Sequence, residues 1–151
     1  MVAFQRINDD EHGYAVEIPD ATPRGQAVAV RSGERNGVHI LHAESPDQSE
    51  LYFEVTSYPA LNDHGALARD QQRFLSEHAA DAEMTAIERT VTLGQSGLTF
   101  DFSGTLQGRW KARRFLFLDG PTRTYRVVRD HTSELNERVL GSFNLRRERH
   151  D

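Results

Sequence analysis

Cysteine is absent from the 151 residues, which excludes disulfides, thiolate metal sites and a cysteine nucleophile. Long apolar runs are absent as well, the longest being a few residues, and the sequence therefore predicts no transmembrane helix. The opening stretch MVAFQRINDDEHG has no basic start followed by an apolar run and does not read as a signal peptide. Together these absences set the expectation of a cytoplasmic protein. Lysine is almost missing: Lys111 is the single lysine among 18 basic residues. Such a bias reflects genome base composition before function, although arginine also suits anion and interface contacts better than lysine does.

What is present describes a globular chain. Hydrophobic residues at 37% and charged residues at 27% fit one domain over residues 1–151, large enough to bury a core, with the first few residues and 146–151 frayed. The net charge of −5 is unevenly spread: residues 1–105 hold 7 basic and 17 acidic side chains, residues 106–151 hold 11 and 6. The overall acidity argues against general nucleic-acid affinity, and the basic second half keeps a local version of that idea open.

Periodicity gives the elements. Tyr14, Val16 and Ile18 alternate with polar or small neighbours and end at Pro19, a strand. QAVAVRSG and GVHILHA read as a hairpin joined through Gly33 to Gly37. In LYFEVTSYP, Leu51, Phe53 and Val55 point one way and Tyr52, Glu54 and Thr56 the other, a strand with one buried face. From about Asp63 to Asp81 the period becomes helical, with Leu67, Phe74, Leu75 and His78 on one face and Asn62 or Asp63 as cap. Ile87–Leu93 alternates again, GQSG turns the chain, and Leu98, Phe100 and Phe102 alternate back. QG at 107–108 and DG at 119–120 place two more turns, around strands at 109–118 and 122–129. Thr132 or Ser133 caps a last helix in which Leu135, Val139 and Phe143 are four apart. Helices segregated among antiparallel strands mean α+β, a central antiparallel sheet of six or seven strands flanked by helices.

That order resembles a known group. GYAVEIPD, the middle helix, the LGQSGLTFDF hairpin at 93–102 and the closing RVLGSFNL are similar in order and spacing to the PsbP-like and DcrB-like superfamily, over roughly residues 4–145. The resemblance implies an antiparallel sheet flanked by helices, ending in a helix with an SF pair before a last short strand. It also implies a binder or adaptor rather than an enzyme. Members include photosystem II accessory proteins, a nuclear-import factor that binds Ran, bacterial lipoproteins and chaperones of type VI secretion effectors. The chain has no lipobox cysteine, a departure from the lipoprotein branch.

Candidates for chemistry each have a plainer reading. Ser96 in LGQSGL sits one residue short of a nucleophile elbow and between two strands, where an elbow needs a strand-to-helix turn. His39 and His42 lie three apart on a strand and face opposite sides; His64 and His78 are about 21 Å apart along a helix. His12 beside Asp9, Asp10 and Glu11 would make a loose surface metal site, against a solvated acidic loop. Glu54, Glu88 and Asp101 read as solvated sheet positions. No phosphate-binding glycine loop occurs. The expectation is therefore no catalytic residue, no cofactor and no metal.

GRWKARRFLFL invites a functional reading most. On a strand, Arg109, Lys111 and Arg113 share one face with Phe115 and Phe117, while Trp110, Arg114, Leu116 and Leu118 share the other. Arg123, Arg126 and Arg129 follow on the return strand. These charges repel unless acidic groups of the first half pair with them or a partner neutralises them. The site expected from sequence is Arg109, Trp110, Lys111, Arg113, Arg114 and Arg126, binding another protein with an acidic surface. The chain would be a non-enzymatic adaptor or chaperone-like module, with a homodimer and a small-molecule or anion pocket between sheet and helix as alternatives.

Overall fold

In the computed structural model, which describes residues 3–130 and 133–145, strands dominate. In chain order they are β1 (Phe4–Asp9), β2 (Tyr14–Pro19), β3 (Ala29–Arg35), β4 (Val38–Glu44) and β5 (Tyr52–Ser57). Helix α1 (His64–His78) follows, then β6 (Ala80–Met84), β7 (Glu88–Thr92), β8 (Gln95–Leu106), β9 (Arg109–Asp119) and β10 (Thr124–Asp130). Helix α2 (Glu134–Ser142) and β11 (Asn144–Leu145) close the described chain.

All pairings are antiparallel. The large sheet has eight strands in the order β3-β4-β5-β10-β9-β8-β6, with β7 also on β8, and a separate sheet has the order β1-β2-β11. The α+β architecture holds, yet the expected six or seven strands undercount it. Strand β1 begins at Phe4; residues 1–2 and 146–151, in the ends expected to fray, lie outside the described residues. The helix expected to run to Asp81 stops at His78, and 80–84 become edge strand β6, with Asp81 at φ 55 where the register on β8 shifts. β6 and β7 lie end to end along β8, one edge strand broken at 85–87.

Turns follow local chemistry. Asn36-Gly37, Leu93-Gly94 and Gln107-Gly108 each place two residues at positive φ, the two-residue hairpin that matches strand twist. The second hairpin therefore turns one step before GQSG, leaving Ser96 inside β8 opposite Val91. Gly97 is required for another reason: a Cβ there would stand 2.1 Å from the Phe117 carbonyl oxygen on β9. Asp63, not Asn62, caps α1, accepting from the Ala66 N–H at 3.1 Å. Ser133 at the head of α2 donates to the Glu50 carbonyl at 2.9 Å instead of capping, and Thr132 lies outside the described residues.

Two cores flank the large sheet. On one face Leu41, Phe53, Val55, Leu116 and Leu118 pack against Tyr14, Val16 and Ile18 of the small sheet and Val139 and Leu140 of α2. On the other, Tyr52, Phe100, Phe102, Phe115 and Phe117 pack under Ala68 and Leu75 of α1. Both faces of β5 are thus covered, where sequence alternation implied one. Phe74, expected on the core face of α1, is 51% exposed and stacks on His78 at 4.1 Å. Among the described residues no helix is long and apolar enough to cross a membrane.

Candidate functional site

The alternation of β9 divides the six expected residues between faces. Arg109, Lys111 and Arg113 look toward the α1 side. Arg126 joins them, since it pairs in register with Phe117 of that face. Trp110, 62% exposed, and Arg114 are on the opposite side. Arg114 grips Asp101 across β8–β9 through Nε at 2.6 Å and a second nitrogen at 3.0 Å. Arg126 lies beneath α1 against Glu54 at 2.7 Å and also bonds Gln71 and Thr56. Both are structural pairs that tie strands together.

Arg109, Lys111 and Arg113 form a row along a groove of about 670 Å³ between the first half of β9 and the last turn of α1, which Trp110 does not line. Its floor is Tyr52 and Glu54 of β5 and His42 of β4, and Phe74, His78 and Leu106 make its apolar rim. The 46–48 turn closes the side. There Asp47 and Gln48 both sit in the left-handed region, at φ 57 and 58, which costs a non-glycine residue about 1 kcal/mol. Asp47 takes Arg109 at 2.7 Å. The Gln48 amide oxygen accepts from Lys111 Nζ at 2.6 Å and from Arg113 at 2.7 Å.

The row is crowded with positive charge, met by Asp47 on Arg109 and by the Glu44 and Asp130 carboxylates acting on Lys111. Two cations meet on one neutral oxygen, and the Gln48 amide nitrogen is used on Glu44 at 2.7 Å, a carboxylate that also receives Arg31. Burial, then the charges of Arg113 and Arg109, pull the Lys111 ammonium below its ordinary value. Arg113 lies 3.7 Å over the Tyr52 ring, and the Tyr52 hydroxyl donates to Glu54 at 2.8 Å. Glu54, expected on a solvated face, is instead enclosed. Burial pushes its carboxyl up, while Arg126, the Tyr52 hydroxyl and His42 outweigh that and hold it below the usual range. It is the one carboxylate among the groove's described lining residues, and it is spent on Arg126.

Sequence reasoning missed Gln48, Tyr52 and Phe74. Gln48 is a neutral residue in a turn more than sixty positions from its partners, and no periodicity signals it.

The sheet with α1 on one face and the small sheet and α2 on the other is the PsbP-like fold. The solution structure of cyanobacterial PsbP (CyanoP) from Synechocystis sp. PCC 6803 matches over 96% of this chain and 94% of that one, with a TM-score of 0.64 at 14% identity. A Pseudomonas aeruginosa protein of unknown function matches 85% of the chain and 81% of its own, with a TM-score of 0.43 at 12% identity. No family model and no curated protein sequence matches the chain.

Proposed function

We propose that the chain is a protein-binding module of the adaptor or chaperone kind, whose groove between β9 and α1 holds an acidic segment of another protein. The observation that carries this reading is that Lys111 and Arg113 both end on the neutral Gln48 oxygen, so a carboxylate entering there meets two cations already fixed in place. A carboxylate would form an ion pair with each cation, where the Gln48 oxygen offers each only an amide dipole. The exposed Phe74 and the neighbouring Leu106 offer an apolar rim beside the charges, the combination a peptide with alternating acidic and apolar side chains would use.

A second reading rests on the groove's volume, which lies in the range of small-molecule sites: a small organic anion seated on the same two cations. A photo-crosslinking residue at position 74, in the otherwise unchanged chain and in Lys111→Glu/Arg113→Glu, separates the two. The expected result is a cross-linked protein whose captured peptide is rich in Asp and Glu, reduced at least about ten-fold in the folded charge-reversed variant. Equal capture by both would sink the proposal. A small acid carried by the unchanged chain in native mass spectra, with no captured protein, would replace it by the second reading.

A further inference from the structure

On the face of the large sheet away from the groove, the β1–β2 turn makes a second constellation. His12 is 5% exposed although its neighbours in sequence are acidic and solvated. Four contacts fix the residue, two of them on its ring. Asp9 Oδ1 accepts the His12 backbone N–H at 2.9 Å and Asp9 Oδ2 faces Nδ1 at 2.8 Å. The His39 ring stacks on it at 3.8 Å between centroids, 8° from parallel. The Tyr125 hydroxyl donates to the His12 carbonyl. The other ring nitrogen, Nε2, faces Glu34 Oε1 at 3.2 Å, and ligand atoms of His12, Glu34 and Glu11 all lie within 4.8 Å of one another.

We propose that His12 Nε2 and the carboxylates of Glu34 and Glu11 form a site for a divalent first-row transition cation, with Asp9 as its positioning residue. A metal-bound histidine characteristically donates its other ring N–H to a carboxylate, which sets tautomer and orientation; Asp9 does this at Nδ1. Two ligand atoms each about 2.0–2.1 Å from one ion in a tetrahedral arrangement stand about 3.3 Å apart, close to the spacing of Nε2 and the Glu34 oxygen. Glu11 and Glu34 are exposed and can swing to complete the shell. One imidazole and two carboxylates, with water in the remaining positions, suit zinc, cobalt or manganese.

The grouping Asp9, His12 and His39 also brings three ligand atoms together, but it cannot chelate as it stands. Two near-parallel stacked rings have no common point lying in both planes, and an imidazole binds a metal along its in-plane lone pair. His39 therefore serves to hold the His12 ring. Burial pulls the His12 imidazole down, and the hydrogen bonds to Asp9 and Glu34 more than restore it.

The test titrates Zn²⁺ into chelator-stripped full-length protein at pH 8 by calorimetry, with Co²⁺ absorption as a second readout. One ion per chain is expected. Glu34→Gln and Glu11→Gln, both at exposed positions, should weaken it at least ten-fold, and Asp9→Asn by about 10–100-fold. His78→Ala should leave it unchanged. The site is overturned if no saturable one-to-one binding occurs, or if Glu34→Gln and Glu11→Gln bind Zn²⁺ as the unchanged chain does, which would mean an adventitious ion only.

Discussion

Glu54 and Arg126 meet beneath α1 with side chains 16% and 21% exposed; Gln71 and Thr56 accept from the guanidinium's two terminal nitrogens, while its Nε is buried without a partner. Removing one partner leaves the other charge in a poorly solvated place, so Arg126→Met should cost about 3 kcal/mol at pH 7. The carboxyl is held below its ordinary 4.5 in the folded state. Its contribution is therefore fully present above about that pH and is lost as the pH falls through the lower folded value. Urea melts of Arg126→Met should show the deficit shrinking between pH 7 and pH 3, as the stranded carboxylate takes up a proton. A deficit independent of pH would refute this assignment. From sequence, Glu54 looked solvated because a strand's alternation gives its two faces but not what covers the second one.

Helix α1 supplies that cover. Ala68 and Leu75 are its fully buried residues, at 0% and 2%, and with so narrow an apolar stripe the helix depends on a few contacts. Leu75→Ala should cost about 2–5 kcal/mol. Because Phe74 and His78 sit on the same last turns, it should also loosen the groove wall. Thermal melts measure the first effect, and faster amide exchange confined to 74–79 and the facing strands would mark the second. A loss under 1 kcal/mol would mean that α1 is held by something other than this stripe. At this scale the meander from β7 to β10 was readable, because Gln107-Gly108 states its turn and the strands alternate, although the turn expected at Asp119-Gly120 is a longer loop, Asp119 ending β9 and β10 starting at Thr124. β6 was not. ADAEM has the composition of a helix, and it is extended because β8 presents a free edge there, a tertiary override of propensity.

Across the whole molecule, β10 is hydrogen-bonded by β5 on one side and β9 on the other, whereas among the described residues β3 pairs only with β4 and is exposed along its length. Native-state hydrogen exchange should be slowest in β5, β9 and β10 and at least two orders of magnitude faster in β3. Equal protection would mean that β3's open edge is covered in solution, as by a second copy of the chain. The charge asymmetry of the sequence also resolves at this scale. Arg109, Arg114 and Arg126 of the basic half find Asp47, Asp101 and Glu54 of the acidic half, and Arg129 takes Glu137 of α2 at 2.7 Å. Arg123 spends its donors on Ser57 and the Gly37 carbonyl.

The sequence by itself determined the α+β class, the antiparallel pairing, most turns and the two faces of β9, since these follow from period, propensity and the two-residue turn, all local. The tertiary structure alone decided which partner each charge meets. Lys111 and Arg113 end on Gln48, and His12 on Glu34, across separations of more than sixty and of 22 residues. Contacts of that range depend on strand order and sheet packing, and no local pattern encodes them.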